Sequence, residues 1–141
     1  MRKFLFALAL LSLPTVLTAQ SAVFKFKPQY VISALGSAKI DGATGGYISL
    51  GIAEQSELLL LYASPVGLVF GDSTVKYVAT IEALVKAPKI PIFVGLGQHF
   101  GYGPDKMHGA VSWRPRKWPV FVHLSAGEKF LTGAAGFTVG M

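Results

Sequence analysis

From Val75 onward the chain alternates with a period of two. Val75, Tyr77, Ala79, Ile81, Ala83 and Val85 are apolar, while Lys76, Val78, Thr80, Glu82, Leu84 and Lys86 are mostly polar. Successive side chains of an extended strand point to opposite faces, so one face meets an apolar medium and the other meets polar groups or water. Trp118, Val120, Val122, Leu124 and Ala126 repeat the pattern against Lys117, Pro119, Phe121, His123, Ser125 and Gly127. Between Ile92 and Tyr102 the apolar parity opposes Gly95, Gly97, His99 and Gly101. Small residues along one face predict a crowded interior where side chains from several strands converge.

Gly, Pro and Asp turns divide the remaining chain into comparable runs, and the whole predicts eight strands. They are Ala22–Leu35, Lys39–Ala53, Glu57–Phe70, Thr74–Lys86, Ile90–Gly101, Met107–Arg114, Trp118–Gly127 and Phe130–Met141. Connections such as Gly71–Ser73, Gly103–Lys106 and Arg114–Lys117 are short, and Gly36–Gly46 is the one place for a longer loop. An even count joined by hairpins predicts an all-β, up-and-down antiparallel barrel, because closure leaves no open edge. The third strand is the irregular one. Leu58–Leu61 interrupts the alternation and Pro65 has no N–H for a ladder, so a bulge or break belongs there. A short helix over Ser56–Tyr62 competes with that reading.

The N-terminus has a different character. Arg2 and Lys3 precede an uncharged apolar run, then Pro14 and the small residue Ala19. Those are the three regions of a secretory signal peptide, with cleavage expected after Ala19 and Ser21 as an alternative site. The apolar run is too short for a membrane span. The expected division is therefore 1–19 as signal and 20–141 as one barrel domain.

Composition sharpens the location. Charged residues make up only 14% of the chain and there is no cysteine. A small exported domain without disulfides needs another source of stability. So little charge leaves a surface that is unusually apolar or that faces lipid. Basic residues outnumber acidic ones by 13 to 7, but no Lys/Arg run marks a nucleic-acid binder.

On these grounds the chain resembles the small eight-stranded outer-membrane β-barrel proteins of bacteria, in architecture and in its last strand. In that family the final strand carries a polar residue, a glycine and alternating apolar residues, ending on an aromatic. Here Gly136 takes the glycine place, Val139 and Met141 the two apolar places, and Phe137 is in phase with them. Two departures stand out: Ala134 occupies the polar place and Met141 replaces the terminal aromatic. The resemblance implies an outer-membrane location, with a periplasmic or secreted protein as the alternative, and membrane lipid and other envelope proteins as partners. Phe24, Phe26, Tyr47, Trp113, Trp118 and Phe130 lie near strand ends, where interfacial aromatic girdles or an ordinary core would place them.

Candidate chemistry is sparse. His123 and Ser125 share a strand face, and a Ser beside a His with an acid to orient the ring is a nucleophile arrangement. The pair resembles that of the outer-membrane lipid A deacylases, where a His-x-Ser pair works with a downstream glutamate. Glu128 is the only later acid, Glu82 the candidate from another strand, and the pair lies on the polar parity rather than toward lipid. Two polar lumen residues are the plainer expectation. His99, His108 and His123, without cysteine or a His-Glu-x-x-His spacing, predict neither metal nor cofactor. Gly95–Gly103 lacks the Lys-Ser/Thr of a phosphate loop. Lys76, Glu82 and Lys86 on one inward face predict lumen ion pairs, with His99 as another lumen residue. Arg114, Arg116 and Lys117, with Lys86, Lys89 and Lys106, form a modest basic set, of which the turns at 86–91 and 114–119 face the periplasm if the chain starts there.

The sequence thus predicts a structural or accessory outer-membrane barrel without catalysis. Two alternatives stand beside it: a soluble exported barrel that turns its apolar face inward around an apolar ligand, and a lipid A-modifying hydrolase.

Overall fold

In the computed structural model the described residues are 25–71, 73–101 and 107–141. The expected signal peptide, the Gly103–Lys106 turn and Phe24 lie outside them. Eight strands form a closed antiparallel barrel in chain order. They are β1 (Lys27–Ile40), β2 (Ala43–Gln55), β3 (Leu59–Gly71), β4 (Thr74–Lys86), β5 (Ile92–Gly101), β6 (Met107–Trp113), β7 (Val120–Gly127) and β8 (Phe130–Gly140). Closure comes from β1 pairing with β8, in register from Gln29 opposite Gly140 to Ile40 opposite Phe130.

The alternation seen in the sequence becomes the two faces of the wall. On β4, Val78, Thr80, Glu82 and Leu84 are buried in the lumen, while Val75, Tyr77 and Val85 are exposed outside. On β7, Phe121, His123 and Ser125 point in, and Val120, Val122 and Leu124 point out. On both strands the apolar parity of the sequence is the outer one.

Two strands change phase. On β1 the buried positions are Val31 and Ser33, then Ala38 and Ile40. The register with β8 slips between Ser33 and Leu35, a bulge at Ala34–Leu35 that exchanges inward and outward parities. The expected loop over Gly36–Gly46 is absent. β1 runs on to Ile40 and meets β2 through the two-residue turn Asp41–Gly42, with φ of 48° and 85° as a tight hairpin requires. On β3 the slip lies between Ser64 and Gly67, around Pro65, as the missing proline N–H predicts. The Tyr77 hydroxyl donates to the Pro65 carbonyl that the bulge displaces. β3 is otherwise continuous, and no helix forms over Ser56–Tyr62. Ser56 instead makes a turn, its hydroxyl oxygen accepting from the backbone N–H of Leu58 and Leu59.

The lumen is filled in layers. One apolar cluster includes Val31, Leu60, Leu84, Phe93 and Phe121, and a second includes Ile40, Tyr47, Val69, Val78 and Phe130. Tyr47 and Phe130 are therefore core residues rather than girdle aromatics, whereas Trp113 and Trp118 stand outside. Interior glycines make room: a Cβ on Gly95 would lie 2.0 Å from the Ala83 carbonyl oxygen. The turns after β2, β4 and β6 share one end of the barrel with the start of β1 and the end of β8.

Candidate functional site

Between the two apolar layers lies a knot of polar side chains around Glu82. Glu82 comes from β4, His108 from β6, and His123 and Ser125 from β7. All four are buried, Glu82 at 5% exposure. Glu82 Oε1 accepts from His108 Nε2 at 2.9 Å, from the Ser125 hydroxyl at 2.9 Å and from His123 Nε2 at 3.2 Å. Its Oε2 has no hydrogen bond and lies 3.0 Å from His123 Nε2. His108 Nδ1 is 3.3 Å from His99 Nδ1, and His99 stacks on Phe130 at 3.9 Å between ring centroids. The contact between Glu82 and His108 depends on Gly97, where a Cβ would come within 2.5 Å of Glu82 Cγ and 2.6 Å of His108 Nε2. Nearby, Ser49 donates to Ser33 at 2.9 Å, and the Tyr62 ring lies against His123 with centroids 5.6 Å apart.

The structure thus joins Ser125 and His123 to an acid, but to Glu82 rather than Glu128, which stands in the turn after β7. The arrangement is not that of a nucleophile relay. A relay uses both imidazole nitrogens, one toward the acid and one toward the serine. Here Nε2 of His123 serves both, 2.9 Å from Ser125 Oγ and within 3.2 Å of Glu82 Oε1. Ser125 also gives its own hydrogen directly to the carboxylate. This chemistry satisfies a buried charge. It replaces the ion pairs expected among Lys76, Glu82 and Lys86: Glu82 is held by histidines and a serine, and Lys86 lines the barrel mouth. Lys76 keeps the inward parity near the opposite end and has a partner of its own. Among the described residues no cluster of His, Cys, Asp and Glu has the arrangement of a metal site.

The second site lies at the end that carries both strand termini. There an open mouth of about 750 Å³ is lined, among the described residues, by Lys25, Lys27, Lys86, Arg114, Arg116 and Lys117, against the single acid Glu57. Arg116 and Lys117 are exposed, as expected of a basic turn, but Arg114 is not. At 6% exposure it continues the inward parity of His108, Ala110 and Ser112. Its Nε donates to Ser112 Oγ at 3.3 Å, its Nη1 to Gln29 Oε1 at 3.4 Å, and its guanidinium carbon lies 5.3 Å from the Phe121 ring centre. Burial brings its pKa down to about 10, so the group is charged at neutral pH.

Sequence reasoning missed His108, which belongs to the knot, and the burial of Arg114. Both follow from carrying the β6 parity through its short, glycine-containing strand to one residue beyond its end. No family model matches the chain, and no curated protein or solved structure does either.

Proposed function

We propose that this protein is a small outer-membrane β-barrel with a structural or accessory role in the cell envelope. The observation that carries the reading is the outer face of the wall. Large apolar residues are exposed on every strand, among them Leu50, Val66, Val85, Leu96 and Leu124. Along the strands, the outward charged side chains are Lys39 and Glu54, each next to a strand end. Between them lies a belt without charge around the whole circumference, which water would disfavour and a hydrocarbon core would not. Tyr30, Trp113, Trp118 and Phe137 edge the belt toward the termini, and Phe70 and Tyr77 edge it toward the other end. Such aromatics suit the two membrane interfaces. Eight strands filled by side chains favour a plugged wall element over a pore.

Fractionation tests this. The protein should sediment with outer membranes, resist carbonate extraction, and migrate differently on a gel before and after boiling. Recovery in the soluble periplasmic or culture fraction, with no such mobility change, would replace the membrane reading with an exported soluble barrel.

A further inference from the structure

The polar knot satisfies its own charge, and the apolar belt is already used by the membrane reading. The mouth at the terminal end is different. Among the described residues it brings six cations and one acid to the wall of one cavity, and places the deepest of these cations at its floor. Among the described residues no carboxylate lies within ion-pair distance of Arg114. Its partners are a neutral hydroxyl, a neutral amide and an aromatic face. Glu82 acts on the guanidinium only through space, and its three direct contacts are neutral, so the group is oriented at depth without a paired counter-charge. Buried charges ordinarily have a counter-charge. Here the open side of the guanidinium faces a cavity whose size falls in the range of small-ligand clefts.

We propose that this mouth is an anion site that takes a phosphate group, with Arg114 as the floor and Lys27, Lys86, Arg116 and Lys117 as the rim. Phosphate suits the planar guanidinium, which presents paired N–H donors to two oxygens, and the lysines add point charge around it. Phosphate could arrive as a free anion or on a lipid headgroup. The headgroup source has a second feature in its favour. Beside the mouth, Trp118 and Ile90 are exposed at 67% and 46% and share a groove of about 540 Å³ with Lys86, Lys89, Arg116 and Lys117. An indole at headgroup depth next to cations fits the border between phosphate and acyl chain. Only this source rests on the membrane reading.

The test follows the Arg114 Nε–H and Trp118 indole resonances of the folded full chain. In a maltoside detergent, sodium phosphate should shift both and saturate, while sodium chloride at equal ionic strength should not. Arg114→Met should abolish the saturable shift at Trp118. The exposed pair Arg116→Gln with Lys117→Gln, which cannot disturb the lumen, should weaken binding by about fivefold per charge removed. In phosphate-free buffer, saturation in discs containing phosphatidylglycerol assigns the headgroup, and a response to inorganic phosphate alone assigns the free anion. The proposal is overturned by no saturable response to either source, by an equal response to chloride, or by unchanged binding in the Arg114 or the rim variants. An acidic peptide that binds where phosphate does not also overturns it. The detergent titration reads the mouth wherever the protein resides, so its failure leaves the membrane reading standing.

Discussion

Glu82 and Arg114 are both ionisable groups on the inward parity of the same barrel wall, and both are almost fully buried. Their surroundings differ. Glu82 Oε1 gathers hydrogen bonds from two histidines and a serine contributed by β6 and β7, in a layer closed above and below by apolar side chains. Arg114 receives one hydroxyl, one amide and one ring, and beyond them opens a cavity with five more cations on its wall. A charge enclosed by its own donors contributes to holding the fold. A charge without a direct ion pair, at the floor of an open mouth, is positioned for something that arrives from outside. The two groups should therefore respond in opposite ways to removal.

The largest expected effect is at the knot. Glu82→Ala strips the acceptor from three donors at once and opens space in the lumen. Breaking a buried charged network from one side costs about 3–5 kcal/mol. Urea unfolding of the folded barrel, followed by heat-modifiable mobility, should show a loss of that size; a loss below about 1 kcal/mol would mean the knot does not hold the fold. Next comes Gly97→Ala, whose Cβ collides with Glu82 Cγ and His108 Nε2 without removing any polar group. Overpacking of this kind costs about 1–3 kcal/mol. Gly109→Ala is the control, since a Cβ there meets nothing closer than the Ala126 carbonyl oxygen at 3.8 Å. It should stay within about 0.5 kcal/mol of the parent.

How much of this was legible depends on phase. Where alternation runs unbroken, as on β4, β5 and β7, the two parities of the sequence become the two faces of the wall, with Glu82, His99 and His123 on the buried one. It fails where a bulge exchanges the parities. On β1 the slip at Ala34–Leu35 makes Gly36–Ile40 look like the start of a loop, although Ala38 and Ile40 are lumen residues. On β3 the four leucines were ambiguous because both faces are apolar at that level: Leu60 packs in the lumen with Leu84 and Phe93, and Leu59 and Leu61 lie on the opposite parity. Pro65 did announce its bulge, because a missing N–H is a property of the residue itself. Of the partners of Glu82, the sequence offered the His123–Ser125 pair only as a candidate and gave no sign of His108. Sequence separations of 26 and 41 residues become contacts only once the barrel closes and its stagger is set.

A smaller effect is expected at Ser125. Ser125→Ala removes one hydroxyl donor from Glu82 Oε1 and leaves both histidine contacts in place. The cost should be about 1–2 kcal/mol, that of a single hydrogen bond to a charged acceptor. Combined with Glu82→Ala, the two losses should be non-additive, because the charged one of the hydroxyl's two partners has already gone and only His123 is left. Additive losses would show that Ser125 stabilises the barrel through its contact with His123 rather than through Glu82.

The smallest effect on stability should come from the deeper-lying cation of the mouth, and this prediction separates the two sites most sharply. Arg114→Met keeps an unbranched stem against Phe121 and removes a charge that makes no direct ion pair within the described residues. Two neutral hydrogen-bond partners are lost: Gln29 lines the open mouth, where water can replace the guanidinium, whereas Ser112 is fully buried and loses its partner. The desolvation cost of the guanidinium is lost with them. These contributions oppose each other, so unfolding should shift by less than about 1 kcal/mol in either direction. A residue that can be removed at so little cost to the fold, while the saturable phosphate response disappears with it, is retained for binding. If Arg114→Met instead destabilises the barrel as severely as Glu82→Ala, the mouth and the knot are the same kind of site, and Arg114 is a part of the plug.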